Sequence, residues 1–254
     1  MKIIKRERSI IPACDCSFEV LKKIIRGTAD VEGIGAYKVG VSFLDIGYIE
    51  VVKAVREHTD KPVIYDHQKG ATDIHEVTPD QFMDSMLRSK INAVILFPQA
   101  GPVSEYEWIN AAQTRGIGVI VGGEMTHPRY LEGDFSNGKN KNYTEIFRSL
   151  GIGRDITGFL RNTAPDDIYE IAAKMRVSDF VVPGNKPERI MHYKQLIESI
   201  GIKPTFYSPG FVAQGGEISR GAEAAGERFH GIVGRGIYEK GDIKENTLAL
   251  TSRL

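Results

Sequence analysis

The chain has 254 residues, 41% of them hydrophobic, which is enough for one large domain with a substantial core. Its 33 basic and 33 acidic residues cancel, so we expect neither a nucleic-acid partner nor attraction to an anionic membrane. The apolar stretch near the N-terminus is too short for a signal peptide, and no run approaches the roughly 20 apolar residues of a membrane span. We therefore expect a soluble, cytoplasmic protein.

Short apolar runs alternate with longer amphipathic segments along the whole chain. Their spacing predicts eight strands with helices between them. The predicted strands are Ser9–Cys14, Gly35–Val39, Pro62–Tyr65, Ala93–Phe97, Ile117–Val121, Asp179–Val182, Lys203–Tyr207 and Gly231–Val233. The predicted helices include Leu44–His58, Pro79–Arg88, Glu105–Thr114, Asp166–Met175, Glu188–Ile200 and Ile218–Glu227. This order favours an α/β fold, a single-domain (β/α)8 TIM-type barrel over residues 1–254, with a doubly wound open sheet as the competing architecture.

One segment interrupts this regular pattern. Residues 129–142 are polar and contain glycine, and the stretch that leads to the strand at Asp179 is long for one crossover. We expect an insertion at the barrel rim around residues 129–165.

Two glycine-rich turns follow the last two predicted strands. The first lies in Ser208–Gly216 and the second in Ile232–Gly236, where Arg235 stands between two glycines. Glycine allows backbone N–H groups to approach an anion closely, and a guanidinium binds its oxygens in a bidentate manner. The pair predicts a phosphate-binding site near the C-terminus.

In barrels of this class, reactive groups lie at the C-terminal ends of the strands. For each polar residue at such an end, the alternative is a turn former or a helix cap. The candidates selected by this rule are Asp15, Lys38, Asp66, Lys69, Asp73, Gln99, Thr126, His127, Asn185, Gln214 and Arg235.

The densest group of charged candidates is Asp66, Lys69 and Asp73, which follow the third predicted strand. Coulomb attraction keeps an ammonium between two carboxylates in its charged form. Such a lysine is a good proton donor to a developing carbanion. The alternative is a solvated Asp–Lys turn without a catalytic role.

The order and spacing of these segments resemble the orotidine 5′-phosphate decarboxylase family along almost the whole chain. The charged cluster is one part of the resemblance. The other segments that carry it are Ile11–Asp15, Tyr37–Gly40, Glu124–Pro128, Val182–Arg189, Pro209–Gly216 and Val233–Arg235.

The resemblance implies a decarboxylation of orotidine 5′-phosphate to UMP, in de novo pyrimidine biosynthesis, without a cofactor or a metal ion. It implies that Lys69 protonates C6 of the pyrimidine, and that Asp66, Asp73 and Lys38 complete the catalytic network. It also implies a homodimer, because the family takes the equivalents of Asp73 and Ile74 from the neighbouring subunit. The implied substrate-binding residues are Asp15, Ile74, Thr126, Asn185, Gln214, Gly215, Gly234 and Arg235.

The chain departs from the family's Asp-x-Lys-x-x-Asp signature, because each of the two gaps is one residue longer here. Along an ideal strand, Asp66 and Lys69 would face opposite sides of the sheet. A bulge or an early strand end, eased by Gly70, would turn Lys69 towards the same side. We predict that both side chains point into the barrel mouth.

Two other functions fit parts of the sequence. One is an Mg²⁺-dependent sugar-phosphate decarboxylase or aldolase of the same superfamily, of the 3-keto-L-gulonate 6-phosphate decarboxylase or hexulose-phosphate synthase type. These enzymes need an acidic residue where this chain has Lys38, and a lysine there would repel the divalent ion. The other is a phosphate-binding barrel without catalytic activity, which the lengthened signature suggests.

Overall fold

The computed structural model describes residues 2–66, 71–73, 76–138, 140–211 and 217–254. Eight strands pair in parallel, each with the next along the chain, and β8 pairs with β1 to close a barrel. The predicted (β/α)8 barrel is therefore confirmed, and the open-sheet alternative is wrong. The strands are β1 (Arg8–Cys14), β2 (Tyr37–Val39), β3 (Val63–Asp66), β4 (Ala93–Leu96), β5 (Gly118–Gly122), β6 (Asp179–Val181), β7 (Thr205–Ser208) and β8 (Phe229–Val233).

Helices connect the strands and cover the outside of the barrel. In the described ranges, no helix is long and apolar enough to cross a membrane. The helices are α1 (Phe18–Thr28), α2 (Tyr48–Arg56), α3 (Thr78–Arg88), α4 (Pro102–Thr114), α5 (Tyr143–Ser149), α6 (Ala164–Lys174), α7 (Pro187–Ser199), α8 (Ile218–Ala225), α9 (Arg235–Tyr238) and α10 (Ile243–Thr251).

The second helix begins later than its apolar spacing predicts. Residues Val41–Phe43 form a short 3-10 helix, and Gly47 then adopts a φ of 84° before α2 starts at Tyr48. Glycine tolerates this left-handed conformation at little cost, so the chain turns there instead of continuing one helix from Leu44.

The core has two layers because successive side chains of a strand face opposite sides. One layer fills the barrel interior and includes Ile11, Ile64, Ile95, Ile120 and Ile232. The other, larger layer packs the outer faces of the strands against the helices. Inward-facing side chains at the C-terminal ends of the strands lie at the end of this inner layer, where they can form a site.

The connection between β5 and α6 contains α5 and is held together by Arg129. The backbone of Arg129 has a φ of 57°. Its guanidinium donates hydrogen bonds to the carbonyls of Ser136 and Ile156 and to the hydroxyl of Thr144, at 2.6 Å for the last of these. One side chain thus joins three parts of the segment after β5.

Gly122, at the end of β5, allows Phe97 to pack inside the barrel. A Cβ atom at this position would lie 2.2 Å from the Phe97 ring. We expect Gly122→Ala to lower the free energy of unfolding by about 1–3 kcal/mol, measured by urea denaturation, because overpacking displaces the ring. Gly153→Ala is the control, since a Cβ there meets no atom within 4 Å. Equal stabilities of the two variants would contradict this packing.

Candidate active site

The charged centre of the site is built by three neighbouring strands. Lys38 of β2 pairs in register with Ala13 of β1 and Ile64 of β3. Asp15 and Asp66 lie two residues beyond these partners and therefore share their inward-facing side. The strand register thus places one carboxylate on each side of the Lys38 ammonium.

The Lys38 ammonium forms ion pairs with both carboxylates. Its Nζ lies 2.7 Å from Oδ2 of Asp66 and 3.2 Å from Oδ1 of Asp15. The side chains of Lys38 and Asp66 are buried, whereas that of Asp15 is 56% exposed. Burial opposes the charge on Lys38, but Asp66 and Asp15 outweigh it and raise the lysine pKa above its ordinary value. Lys38 is therefore an ammonium at neutral pH.

The second carboxylate oxygen of Asp66 needs a further donor. Oδ1 of Asp66 is buried and has no hydrogen-bond partner in the described part of the chain. A buried carboxylate oxygen is normally satisfied by a hydrogen bond. Lys69 lies outside the described residues, so its predicted position beside Asp66 stays a prediction. The site does have an oxygen to which such an ammonium could donate.

Asp15, Lys38 and Asp66 line a cavity of about 490 Å³ at the C-terminal ends of the strands. Sites for small molecules in proteins are typically of this size and combine an apolar wall with a few polar groups. The barrel interior supplies the apolar wall, from Ile95, Phe97, Val181 and Ile232.

Both glycine-rich turns reach this same cavity. Gly210 follows β7 with a φ of 102°, and Gly234 and Arg235 follow β8. The exposed side chain of Arg235 thus lines the cavity that also contains Asp66. Gln214 and Gly215 lie outside the described residues. The two turns therefore supply an arginine and glycine backbone to one site, as phosphate binding would require.

The other predicted substrate contacts differ in position. Thr126 lines the cavity, whereas Asn185 is not among its lining residues. The side-chain amide of Asn185 donates to the Thr126 carbonyl at 3.5 Å, and its Oδ1 is buried without a partner in the described ranges. Asp73 is exposed and does not line this cavity, and Ile74 lies outside the described residues.

Glu124 is a residue of the site that sequence reasoning did not select. It lies just after β5, is only 2% exposed, and lines the cavity. Its Oε1 accepts a hydrogen bond from Lys186 at 2.7 Å, and its Oε2 accepts from Arg189 at 2.8 Å and from the Tyr193 hydroxyl. The sequence contained only a weak signal, an acid two residues after an apolar strand.

This network connects the end of β5 with the turn after β6. Burial alone would raise the pKa of Glu124, but hydrogen bonds from its three partners lower it. Glu124 is therefore a carboxylate at neutral pH. Thr126 follows Glu124 by two residues, and Asn185 directly precedes Lys186. The Glu124 network therefore fixes the two segments that carry the predicted substrate contacts Thr126 and Asn185.

The chain is similar in sequence to several known proteins. No family model matches the chain. A curated orotidine 5′-phosphate decarboxylase from Methanococcus maripaludis is 24% identical over 223 residues, which cover 88% of this chain and 87% of the relative. The corresponding protein from Methanosarcina mazei is 27% identical over 214 residues, or 84% of this chain and 80% of the relative.

Solved structures share the fold. The orotidine 5′-monophosphate decarboxylase of Methanocaldococcus jannaschii, complexed with the inhibitor BMP, has a TM-score of 0.74 at 23% identity and covers 98% of this chain and 99% of its own. The orotidine 5′-phosphate decarboxylase of Pyrococcus horikoshii has a TM-score of 0.71 at 23% identity, covering 96% and 98%. At this identity the structural likeness establishes the fold.

Fold and site together define a (β/α)8 barrel with a charged cavity at the C-terminal ends of its strands. The curated relatives with this fold are decarboxylases by name, which makes them carboxy-lyases. The chain is similar to orotidine 5′-phosphate decarboxylases over most of its length, in agreement with the sequence resemblance.

Replacement of Glu124 tests the network. We expect Glu124→Gln to lower the free energy of unfolding by about 3 kcal/mol at neutral pH, because it leaves two partly buried cations without their counter-charge. The pKa of Glu124 in the folded protein lies below its ordinary 4.5. The stabilisation by the carboxylate is therefore lost as the pH falls below 4.5, and the difference in free energy of unfolding between wild type and Glu124→Gln should become smaller there. Urea denaturation at several pH values measures this.

Glu188→Gln provides the matched control for this variant. Glu188 is exposed in the first turn of α7, near Lys186 and Arg189 in the chain. An exposed substitution of this kind should change stability by less than about 0.5 kcal/mol. A loss that is equal for both variants, or independent of pH for Glu124→Gln, would contradict the assigned role.

Proposed function

We propose that the protein decarboxylates orotidine 5′-phosphate to UMP in the cytoplasm. The observation that carries the proposal is the cavity that has the Asp15–Lys38–Asp66 centre together with Arg235. Such a cavity can hold a nucleotide monophosphate by its phosphate while its base meets the charged centre. The named activity of the curated relatives supports the same substrate.

Lys69 is the proposed proton donor. As the bond between C6 and the carboxylate carbon breaks, its electron pair remains on C6 and carbon dioxide leaves. The Lys69 ammonium then gives a proton to C6. Oδ1 of Asp66, which has no hydrogen-bond partner among the described residues, is the acceptor that would orient this ammonium, and Lys38 pairs with the other oxygen of Asp66.

The remaining roles follow the shape of the cavity. Arg235, with Gln214 and Gly215 of the β7 turn and Gly234 of the β8 turn, would bind the phosphate. Binding energy gained there, remote from C6, can organise the reactive centre.

The partly exposed Asp15 would accept hydrogen bonds from the ribose hydroxyls. Thr126 would contact the base directly. Asn185 would assist by its hydrogen bond to the Thr126 carbonyl, which lies 3.5 Å from the asparagine amide.

A homodimer would complete the site. Asp73 does not line the cavity of its own chain, so we propose that Asp73 and Ile74 act in the site of the neighbouring subunit. The connection between β2 and α2 exposes Val41 and Leu44 by 52% and 68%, and Ile49 in the first turn of α2 is 61% exposed. Apolar side chains grouped in this way, just after the strand that carries Lys38, are typical of an interface.

An Mg²⁺-dependent sugar-phosphate lyase is less well supported. Such a site would need an acidic residue at the position of Lys38, but here the lysine ammonium is paired with Asp15 and Asp66 and would repel a divalent ion. A phosphate-binding barrel without catalysis would use only the two glycine turns. The buried ion pair, next to a carboxylate oxygen that has no hydrogen-bond partner in the described ranges, favours the catalytic alternative.

The catalytic role of Lys69 is tested by following orotidine 5′-phosphate absorbance with and without EDTA. We expect turnover that EDTA leaves unchanged, and a loss of at least about 1,000-fold in kcat for Lys69→Ala with UMP binding retained, because the proton donor is removed. Absence of wild-type turnover would contradict the proposal. Loss on chelation would favour the Mg²⁺-dependent alternative.

The phosphate role of Arg235 has a distinct kinetic signature. We expect Arg235→Ala to lower kcat/KM about 10- to 100-fold, since a charge-assisted hydrogen bond contributes about 1.5–3 kcal/mol. The loss should be much smaller for orotidine, which has no phosphate, when both enzymes are assayed with it. Arg228→Ala, an arginine before β8 that does not line the cavity, is the control. Equal losses with both substrates would contradict the assignment.

The shared site is tested by mixing two inactive variants. Lys69→Ala and Asp73→Ala, unfolded and refolded together, should form heterodimers in which one of two sites is native, so about a quarter of the wild-type activity returns. Lys69→Ala mixed with Asp66→Asn is the control, because both changes then lie in the same half of the site and no native site forms. If heterodimers form without regained activity in the first mixture, Asp73 does not act across the interface.

A further inference from the structure

A second cavity, of about 690 Å³, lies on the outside of the barrel between α4 and α6. Residues Phe159–Arg161, from the connection before α6, form a third wall. The volume is within the range of small-molecule sites. None of the roles proposed above involves this cavity.

The cavity is lined by a buried acid. Glu105, in the first turn of α4, is only 1% exposed, and its Oε1 has no hydrogen-bond partner in the ranges that the structure describes. Burial first, and the Asp167 carboxylate second, raise the pKa of Glu105 to about 8. An acid held in this way lacks a counter-charge, and a cation within the cavity would supply one.

The other charged residues around the cavity balance one another. Arg161 forms an ion pair with Asp167. Glu170 and Lys174 have opposite charges and are one helical turn apart on the outer part of α6. Glu105 is therefore the one uncompensated acid among the described residues that line this cavity.

The rest of the wall is apolar. It includes Leu160, Ile168, Ile171 and Met175. Phe159, which also lines the cavity, is 95% exposed. An alkyl chain would remove such surface from water, and an aromatic ring attracts a cation that lies near its face. The cavity thus combines an apolar wall, an exposed ring and one buried acid.

From this combination we propose that the cavity between α4 and α6 binds a small organic ammonium ion. The cationic group pairs with the Glu105 carboxylate, and the carbon chain lies along Leu160, Ile168 and Ile171. The Glu105 proton leaves to the buffer when the cation binds. The site does not depend on the proposed decarboxylase activity.

The test uses n-butylammonium chloride as the probe and isothermal titration calorimetry of the full chain in two buffers that differ in ionisation enthalpy. We expect saturable binding at one site per chain. With a Glu105 pKa of about 8, about 0.9 proton should be released per bound ion at pH 7. The affinity for n-butylammonium should rise about tenfold between pH 7 and pH 9, because Glu105 is already deprotonated in most protein molecules at the higher pH.

Two variants and a neutral probe separate this site from general ion binding. Glu105→Gln, which keeps the shape of the neutral acid, should abolish both binding and proton release. Glu170→Gln, which changes an exposed acid at the same cavity, should bind normally. 1-Butanol, which has a similar chain without a charge, should bind at least tenfold more weakly than the ammonium ion.

Several results would overturn the proposal. The first is the absence of saturable binding to the wild-type protein. The second is binding to Glu105→Gln at wild-type affinity, and the third is binding to the wild-type protein at pH 7 without proton release. Affinity that falls as protein concentration rises would show that a second copy of the chain covers the cavity instead, which also overturns it. The proton count requires only the wild-type protein, so the test holds even if Glu105→Gln does not fold.

Discussion

The ion pairs of Lys38 with Asp66 and Asp15 determine how the rest of the site can be arranged. Among the described residues, a buried ammonium beside two carboxylates gives the centre one net negative charge and leaves an oxygen of Asp66 without a hydrogen-bond partner. Removing one member of such a buried group costs several kcal/mol, because the remaining charge stays buried. A second cation near Asp66 would neutralise the centre, and Lys69 is the residue we propose for that role.

The barrel makes this centre possible through strand register alone. Lys38 lies beside Ala13 and Ile64, and the alternation of side chains turns Asp15 and Asp66 to the same inner side. The same rule places Ile95 and Ile232 in the apolar wall. The charged groups therefore face an apolar wall on one side and solvent at the barrel mouth on the other. The apolar wall lowers the local dielectric constant, which strengthens their electrostatic interaction with a bound substrate.

The strands and the cavity of this protein were largely predictable, and for a physical reason. Apolar runs mark buried strands, so β3 was expected over Pro62–Tyr65 and lies over Val63–Asp66. The strand-end rule then selected Asp15, Lys38, Asp66 and Arg235, all of which line one cavity.

Contacts between distant side chains were not predictable in this way. Glu124 meets Lys186 and Arg189 across 62 and 65 residues of chain, and no local pattern encodes that meeting. The conformation at Gly47, which delays α2, depends on the path of the backbone after β2. Glu105, the acid of the outer cavity, lies in helix α4. Its burial follows from the packing of the fold and could not be predicted from the sequence.

The central claim is that Asp66 holds two ammonium groups, Lys38 on one oxygen and Lys69 on the other. A high-resolution crystal structure of the protein with UMP in the cavity tests it most directly. The account predicts that Nζ of Lys69 lies within about 3.2 Å of Oδ1 of Asp66 and faces C6 of the pyrimidine. A Lys69 ammonium on the outer face of the barrel, with Oδ1 of Asp66 bound to another donor, would contradict it.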